Sequence, residues 1–293
     1  MAKFRTNHQR GGKGSTGMVV KVGLFSALIG GLFFIAQLFL GGQLGNEPAV
    51  EPYYYLPIGG TGTLIQKAAF ALSYDEAHEQ AEWAAYRLSA THLEPPLVPP
   101  AGTYREDPQV PTGSARPEDY SNTAFTRGQL VPAADRAYQE AAVEATFLMS
   151  NISPQARLFH LGIWRELEEL ARGWAKEAGE LYIITGPLLQ MAPLGAIGEN
   201  EVTVPGGYFK VLLDVEPPEL RAIGFALPNT VSKEPLPKFA VAVDEIEART
   251  GLDFFKGFLP ADVEAALEAE ADTSLWAFSK DKYQERVENW NNQ

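Results

Sequence analysis

The sequence predicts an α+β domain preceded by one apolar transmembrane helix. Residues 22–42 form an uncharged, apolar run near the start of the chain. Further on, stretches of strand character (181–189, 201–204, 208–215 and 220–227) mix with stretches of helical spacing (136–150 and 158–179). No regular strand–helix–strand alternation links them, so α+β is the class rather than α/β.

The chain's 293 residues suit one large domain or two small ones, and a 45% hydrophobic content is enough to bury a core. It has no cysteine, which excludes disulfides, thiolate zinc sites and cysteine nucleophiles. Its four histidines are His8, His78, His92 and His160, so imidazole bases are scarce. The net charge of −13 is unevenly spread. Lys3, Arg5, Arg10, Lys13 and Lys21 make residues 1–21 purely basic, and the first acid is Glu47. The remainder therefore carries 19 basic and 37 acidic side chains, a net of −18. That acidity argues against nucleic acid as a ligand, because phosphate binding draws on clustered Lys and Arg.

Element by element, residues 1–21 read as a basic cytoplasmic tip. Residues 22–42 span roughly 30 Å as a helix, the thickness of a bilayer core. The basic tip orients such an anchor with its N-terminus cytoplasmic and the domain extracytoplasmic, periplasmic in a bacterium. A cleaved signal peptide is the competing reading, but its apolar run is usually about 7–15 residues with a small-residue cleavage site behind it. Residues 43–63 are Gly/Pro-rich and read as a linker, with Gly59–Thr63 as a flexible turn. Tyr53, Tyr54 and Tyr55 suit either a membrane-interface belt or a segment packed on the domain.

The globular domain spans residues 64–271. Trp83, Tyr86 and Leu88 mark an opening strand. Residues 93–118 hold seven prolines and predict a long irregular connection. LYIITGPLL (181–189) is a continuous apolar run, hence a buried strand ending in a Gly-Pro turn. Residues 239–243 lead into a helix, and 260–271 form the next. The acidic run 262–272 reads as a solvated helix face. The tail, 272–293, is polar with interspersed Trp276, Phe278, Tyr283 and Trp290, which suits wrapping the domain or binding a partner.

The most informative stretch is residues 126–175. Thr126-Arg127-Gly128-Gln129-Leu130-Val131-Pro132-Ala133-Ala134-Asp135 is followed by Thr146, Phe147, Ser150, Asn151, Pro154 and Gln155, then by residues 159–168, FHLGIWRELE. This order resembles the DNA/RNA non-specific endonuclease family, which includes the Serratia-type nuclease and mitochondrial endonuclease G. Val204-Pro205 with Tyr208-Phe209-Lys210-Val211, and Leu227-Pro228-Asn229, extend the likeness over about residues 64–260. The resemblance implies the ββα-metal (His-Me finger) fold: a central antiparallel sheet flanked by helices, with one divalent metal, usually magnesium, at a strand–helix junction.

The resemblance also implies roles. Gln129 stands where the family has its general-base histidine, and Thr126 where the motif opens with aspartate. His160 stands at the metal-ligand asparagine. Arg127, Glu168 and Arg172 match the family's phosphate-contacting and metal-assisting residues. An amide is essentially non-basic, so Gln129 is not expected to act as the base, a role typically worth about 10²–10⁴-fold. His160 as a ligand favours a transition metal over magnesium, which prefers oxygen. His160, Trp164, Glu168 and Arg172 recur every four residues, placing them along one helix face. An ordinary Glu168–Arg172 ion pair, a core Trp164 and a satisfied His160 meet the same spacing. Asn151-Ile152-Ser153 fits a glycosylation sequon and reads as a turn.

The functional expectation is a membrane-anchored family member with an eroded active site: a pseudonuclease used as a binding or scaffold module. An active metal-dependent phosphodiesterase with a rebuilt site is the first alternative. A structural subunit with a protein partner in a membrane complex is the second. Many family members are dimers, which leaves a homodimer open here.

Overall fold

A computed structural model describes residues 55–216 and 220–293, within the compact unit Val50–Gln293. The basic tip and the apolar run 22–42 lie outside the described residues. Among the described residues, no helix is long and apolar enough to cross a membrane.

The frame is a seven-stranded, wholly antiparallel sheet in the order β1-β2-β3-β6-β9-β10-β11. Its strands are β1 Thr63–Gln66, β2 Ala71–Asp75, β3 Gln80–Ser89, β6 Glu180–Pro187, β9 Gly207–Asp214, β10 Arg221–Pro228 and β11 Ala240–Val241. Strand alternation feeds two cores. Ala84, Ile183, Leu212, Ile223 and Phe225 point into one. Ala85, Ile184, Val211, Leu213 and Ala226 point into the other. Burial on both faces explains why β6 and β9 read as unbroken apolar runs.

Helix α3 (Arg165–Ala178) covers the first face with Leu167, Leu170 and Trp174. Helix α4 (Val243–Thr250) covers the second with Val243 and Ile246, and α5 (Ala261–Glu268) follows it. Tyr55 is buried on this side, its ring centroid 4.9 Å from that of Tyr182. The Gly-rich turn after it is tied down, because Thr61 and Gly62 donate their amides to the Glu82 carboxylate at 3.2 and 2.9 Å.

Everything from Ala90 to Gly179 is an excursion between the neighbouring strands β3 and β6. Its ends meet where Ser89 pairs with Glu180 and Ala90 N–H donates to Gly179 O at 2.7 Å. It contains the ribbon of β4 (Phe125–Gln129) and β5 (Ile152–Ala156). A second small ribbon, β7 (Gly195–Ile197) with β8 (Val202–Val204), lies beyond β6.

Helix over 136–150 is a correction: only α1, Glu140–Ala145, forms there. Polar side chains capture the neighbouring backbone instead. Thr146 Oγ1 donates to Val143 O at 2.7 Å, and Asn151 exchanges hydrogen bonds with Val131 and donates to Thr146 O. The sequon asparagine is thus a fully buried turn residue.

The tail wraps the domain. Trp276 sits edge-on to Trp174 at 5.0 Å, and Trp174 Nε1 donates to Ala277 O at 2.9 Å. In α6 (Lys280–Glu288), the buried Arg286 pairs with Glu166 and donates to Ser232 O and Glu234 O. The aromatic residues Trp276 and Trp290 are 3% and 6% exposed, so they are spent on the domain itself.

Candidate active site

The β4–β5 ribbon positions the first half of the site. Alternation along β4 sends Arg127 and Gln129 to one side, Thr126 and Gly128 to the other. Gln129 Nε2 donates to the carbonyl and to Oγ1 of Thr146, both at 3.0 Å, and Gln129 Oε1 accepts the Ala133 amide at 3.1 Å. The amide thereby knits the end of β4 to the turn after α1 and to the turn opening at Ala133. Arg127 Nη2 donates to Pro117 O at 2.6 Å, and its guanidinium lies 5.3 and 5.7 Å from the Tyr104 and Tyr120 ring centroids.

Thr126 is paired in register with Gln155. Gln155 extends over Gly128, where a Cβ would stand 2.2 Å from Gln155 Cδ, so glycine is what lets it pass. It ends at His160, whose Nδ1 is 2.7 Å from Gln155 Oε1. An amide oxygen only accepts, so Nδ1 carries the proton and Nε2 keeps its lone pair. Burial lowers the His160 pKa, which favours this neutral form.

His160 follows the single turn α2 (Arg157–Phe159) and opens a π-turn, His160–Trp164, before α3 begins. Gly162 breaks the helix there with φ −101° and ψ −110°. Asn291 of the tail packs so close that a Gly162 Cβ would lie 2.6 Å from its Oδ1. Such π-turns recur at functional sites.

Of the fourfold-spaced residues, Trp164 is core and fully buried, while His160, Glu168 and Arg172 are half-buried. The expected Glu168–Arg172 ion pair is replaced. Arg172 Nη1 donates to Asp135 Oδ1 at 2.8 Å, and Tyr86 Oη donates to Asp135 Oδ2 at 2.8 Å. Burial pushes the Glu168 carboxyl up to about 7, although Lys210 and Arg172 pull it down. Burial alone would lower the Arg172 pKa, but Asp135 and Glu168 together raise it. Lys210 of β9 is fully buried, with Nζ 4.8 Å from the Trp164 ring centroid. Burial lowers its pKa while Glu168 and Asp135 oppose that shift. Two acids, Asp135 and Glu168, are thus balanced against two bases, Arg172 and Lys210.

The other described histidines are engaged with other side chains: His78 Nδ1 is 2.9 Å from Asp75 Oδ2, and His92 stacks on Tyr138 at 3.8 Å. Sequence reasoning did not single out Lys210, Asp135, Tyr86, Thr146 or Gln155 as site residues. Four of them stand in motifs already quoted, and a lysine inside the apolar strand YFKVLLD was itself a signal. Tyr86 gave none.

The sequence profile of the DNA/RNA non-specific endonucleases matches residues 52–261. The mitochondrial nuclease EXOG of Danio rerio is 34% identical over 199 residues, which cover 63% of this chain and 58% of that protein. A nuclease of Nostoc sp. is 30% identical, covering 78% of this chain and 85% of its own. A solved EndoG/EndoGI complex superposes with a TM-score of 0.66 at 24% identity, covering 73% of this chain and 93% of that one. That likeness shows the fold: an architecture of mixed helices and strands, with an antiparallel sheet and flanking helices. Together with the ordered motif along β4, β5 and α3, the match places this chain in the DNA/RNA non-specific endonuclease family.

Proposed function

We propose that this chain keeps the family fold with phosphodiester cleavage lost or strongly reduced, and that it serves as a membrane-held binding or scaffold module. The observation that carries this reading is the Gln129 amide. It replaces the base-position imidazole and is committed to Thr146 and Ala133. A general base must accept a proton near neutral pH, and an amide does not. Further support comes from the cations: Arg127 is held by Pro117 and two tyrosines, and Arg172 by Asp135. The domain's −18 charge also repels polyanions. The membrane part of the proposal rests on the basic tip and the apolar run 22–42.

The divalent metal implied by the family fits poorly as magnesium, because the ligand position offers an imidazole nitrogen where magnesium takes oxygen. A second reading, a rebuilt site using His160 as base or as ligand for a transition metal, is favoured by one observation: Gln155 Oε1 accepts from Nδ1, which leaves the lone pair on Nε2.

The test is cleavage of plasmid DNA and RNA by the full chain in mild detergent, beside the double variant Gln129→His plus His160→Asn. Activity only in the double variant supports the proposal. Metal-dependent cleavage by the unaltered chain, abolished by Glu168→Ala or His160→Ala, overturns it in favour of the rebuilt site. Extraction of the full chain by salt alone, without detergent, would sink the membrane part.

A further inference from the structure

Three carboxylates meet on the face of the sheet opposite α3. Asp244 and Glu247 stand three residues apart in α4, on one face of that helix. Glu268 closes α5. One oxygen from each lies within 4.8 Å of the other two. Asp244 is exposed and Glu247 half-buried, but Glu268 is 4% exposed, and its Oε1 is buried without a hydrogen-bond partner. Glu247 Oε1 accepts the Phe254 amide at 2.7 Å, which aims its carboxylate. Lys256, which feels the charge of Glu247, is engaged with Asp253.

This arrangement is unfavourable without a ligand. A buried carboxylate with no partner forfeits its hydration, and like charges at this range repel. Glu268 also sits at the C-terminal end of α5, where the helix dipole is negative and disfavours a further anion. A cation removes all three penalties at once. The donors are all oxygen, which suits hard ions and not zinc or copper. Magnesium requires a tighter, near-ideal octahedron, whereas calcium tolerates irregular carboxylate sets with water completing the shell.

We propose that Asp244, Glu247 and Glu268 form a binding site for a hard divalent cation of calcium type, bridging α4 to α5. Asp244 and Glu247 fall inside the family match at residues 52–261, and Glu268 lies beyond it. The ion therefore fastens the C-terminal extension to the family domain. That extension runs on to Trp276, which packs on Trp174 of α3, and to Asn291, which lies against Gly162 of the π-turn that His160 opens. The site is separate from His160 and Glu168, so it stands or falls independently of the pseudonuclease reading.

The test is calorimetry and thermal unfolding of the full chain, stripped with chelator and then given calcium or magnesium chloride. One equivalent of calcium is expected to bind with Kd of about 1 mM or tighter, more tightly than magnesium, and to raise the unfolding midpoint. Glu268→Gln and Asp244→Asn should each weaken binding at least tenfold, and His160→Ala should leave it unchanged. In chelator, Glu268→Gln should unfold at a higher temperature than the parent chain, because it removes the unpartnered carboxylate. Absence of calcium binding overturns the proposal. So does binding that survives Glu268→Gln and Asp244→Asn, binding lost in His160→Ala, or a Glu268→Gln variant less stable than the parent in chelator.

Discussion

Gln155 reaches over Gly128 to accept the Nδ1 proton of His160 at 2.7 Å. The bond fixes both the tautomer and the ring orientation of the one histidine in the site. Gly128→Ala places a methyl 2.2 Å from Gln155 Cδ and must displace that side chain. The expected result is a loss of about 1–3 kcal/mol by overpacking, with a changed Nδ1 signal for His160 in nitrogen NMR. An unchanged signal would show that Gln155 does not set the tautomer.

Gln129→Ala should act on stability. The substitution leaves the Ala133 amide and the Thr146 carbonyl without this partner. The expected cost is about 1–3 kcal/mol in urea unfolding. A variant as stable as the parent would mean that the amide is not a structural tie.

Asp135 is nearly enclosed, its side chain 1% exposed, and Arg172 is its ion-pair partner. Arg172→Met should cost about 3 kcal/mol, the range for stranding a buried charge. Tyr86→Phe should cost less, about 2 kcal/mol, because it removes a single neutral donor to that carboxylate. Equilibrium denaturation of the two variants checks the order.

Glu168 titrates at about 7 in the folded chain, above its ordinary 4.5, with burial as the main cause. The folded state therefore holds this proton more tightly than the unfolded state does. Its contribution to stability is fullest below about pH 4.5 and fades as pH rises through 7. Comparing the parent with Glu168→Gln between pH 5 and 8 should show the parent losing stability with rising pH relative to the variant. Parallel curves would contradict the shift.

Trp276 packs on Trp174 and under Arg221, whose guanidinium is 4.5 Å from its ring centroid. Trp276→Ala should cost about 3–5 kcal/mol, read as an early unfolding midpoint. A neutral result would free the tail for the role of partner-binding arm that its aromatic residues suggested.

Much of the fold was legible because the informative residues occur in motif order. Thr126–Asp135, Thr146–Gln155 and 159–168 located the stretch that carries the site and the helix within 158–179, whereas β4 and β5 themselves were not read as strands. The apolar runs located β6, β9 and β10, since burial on both faces leaves no alternation to misread. The failures came where side chains compete with the backbone or act across the sheet. Thr146 and Asn151 capture carbonyls that a longer helix would have used. Gly162 breaks the four-residue spacing with a π-turn at a point where Asn291, more than 120 residues away, leaves no room for a Cβ. Arg172 found Asp135 instead of its helical neighbour Glu168, and Glu168 faces the charge of Lys210 from β9. Glu268 was hidden in a run that otherwise is a solvated helix face. None of these pairings has a local signature.

The closure of residues 90–179 at their base has an evolutionary reading. Arg127, Gln129, His160, Glu168 and Arg172 all belong to one excursion whose two ends are stitched together at Ser89 and Glu180. The strands on either side meet each other directly, so most of the sheet forms its hydrogen bonds without the loop's residues. Exchanges inside the excursion therefore leave the strand pairings of the frame in place, even where they cost packing. A lineage can exchange a base for an amide inside the excursion while the frame that displays it persists.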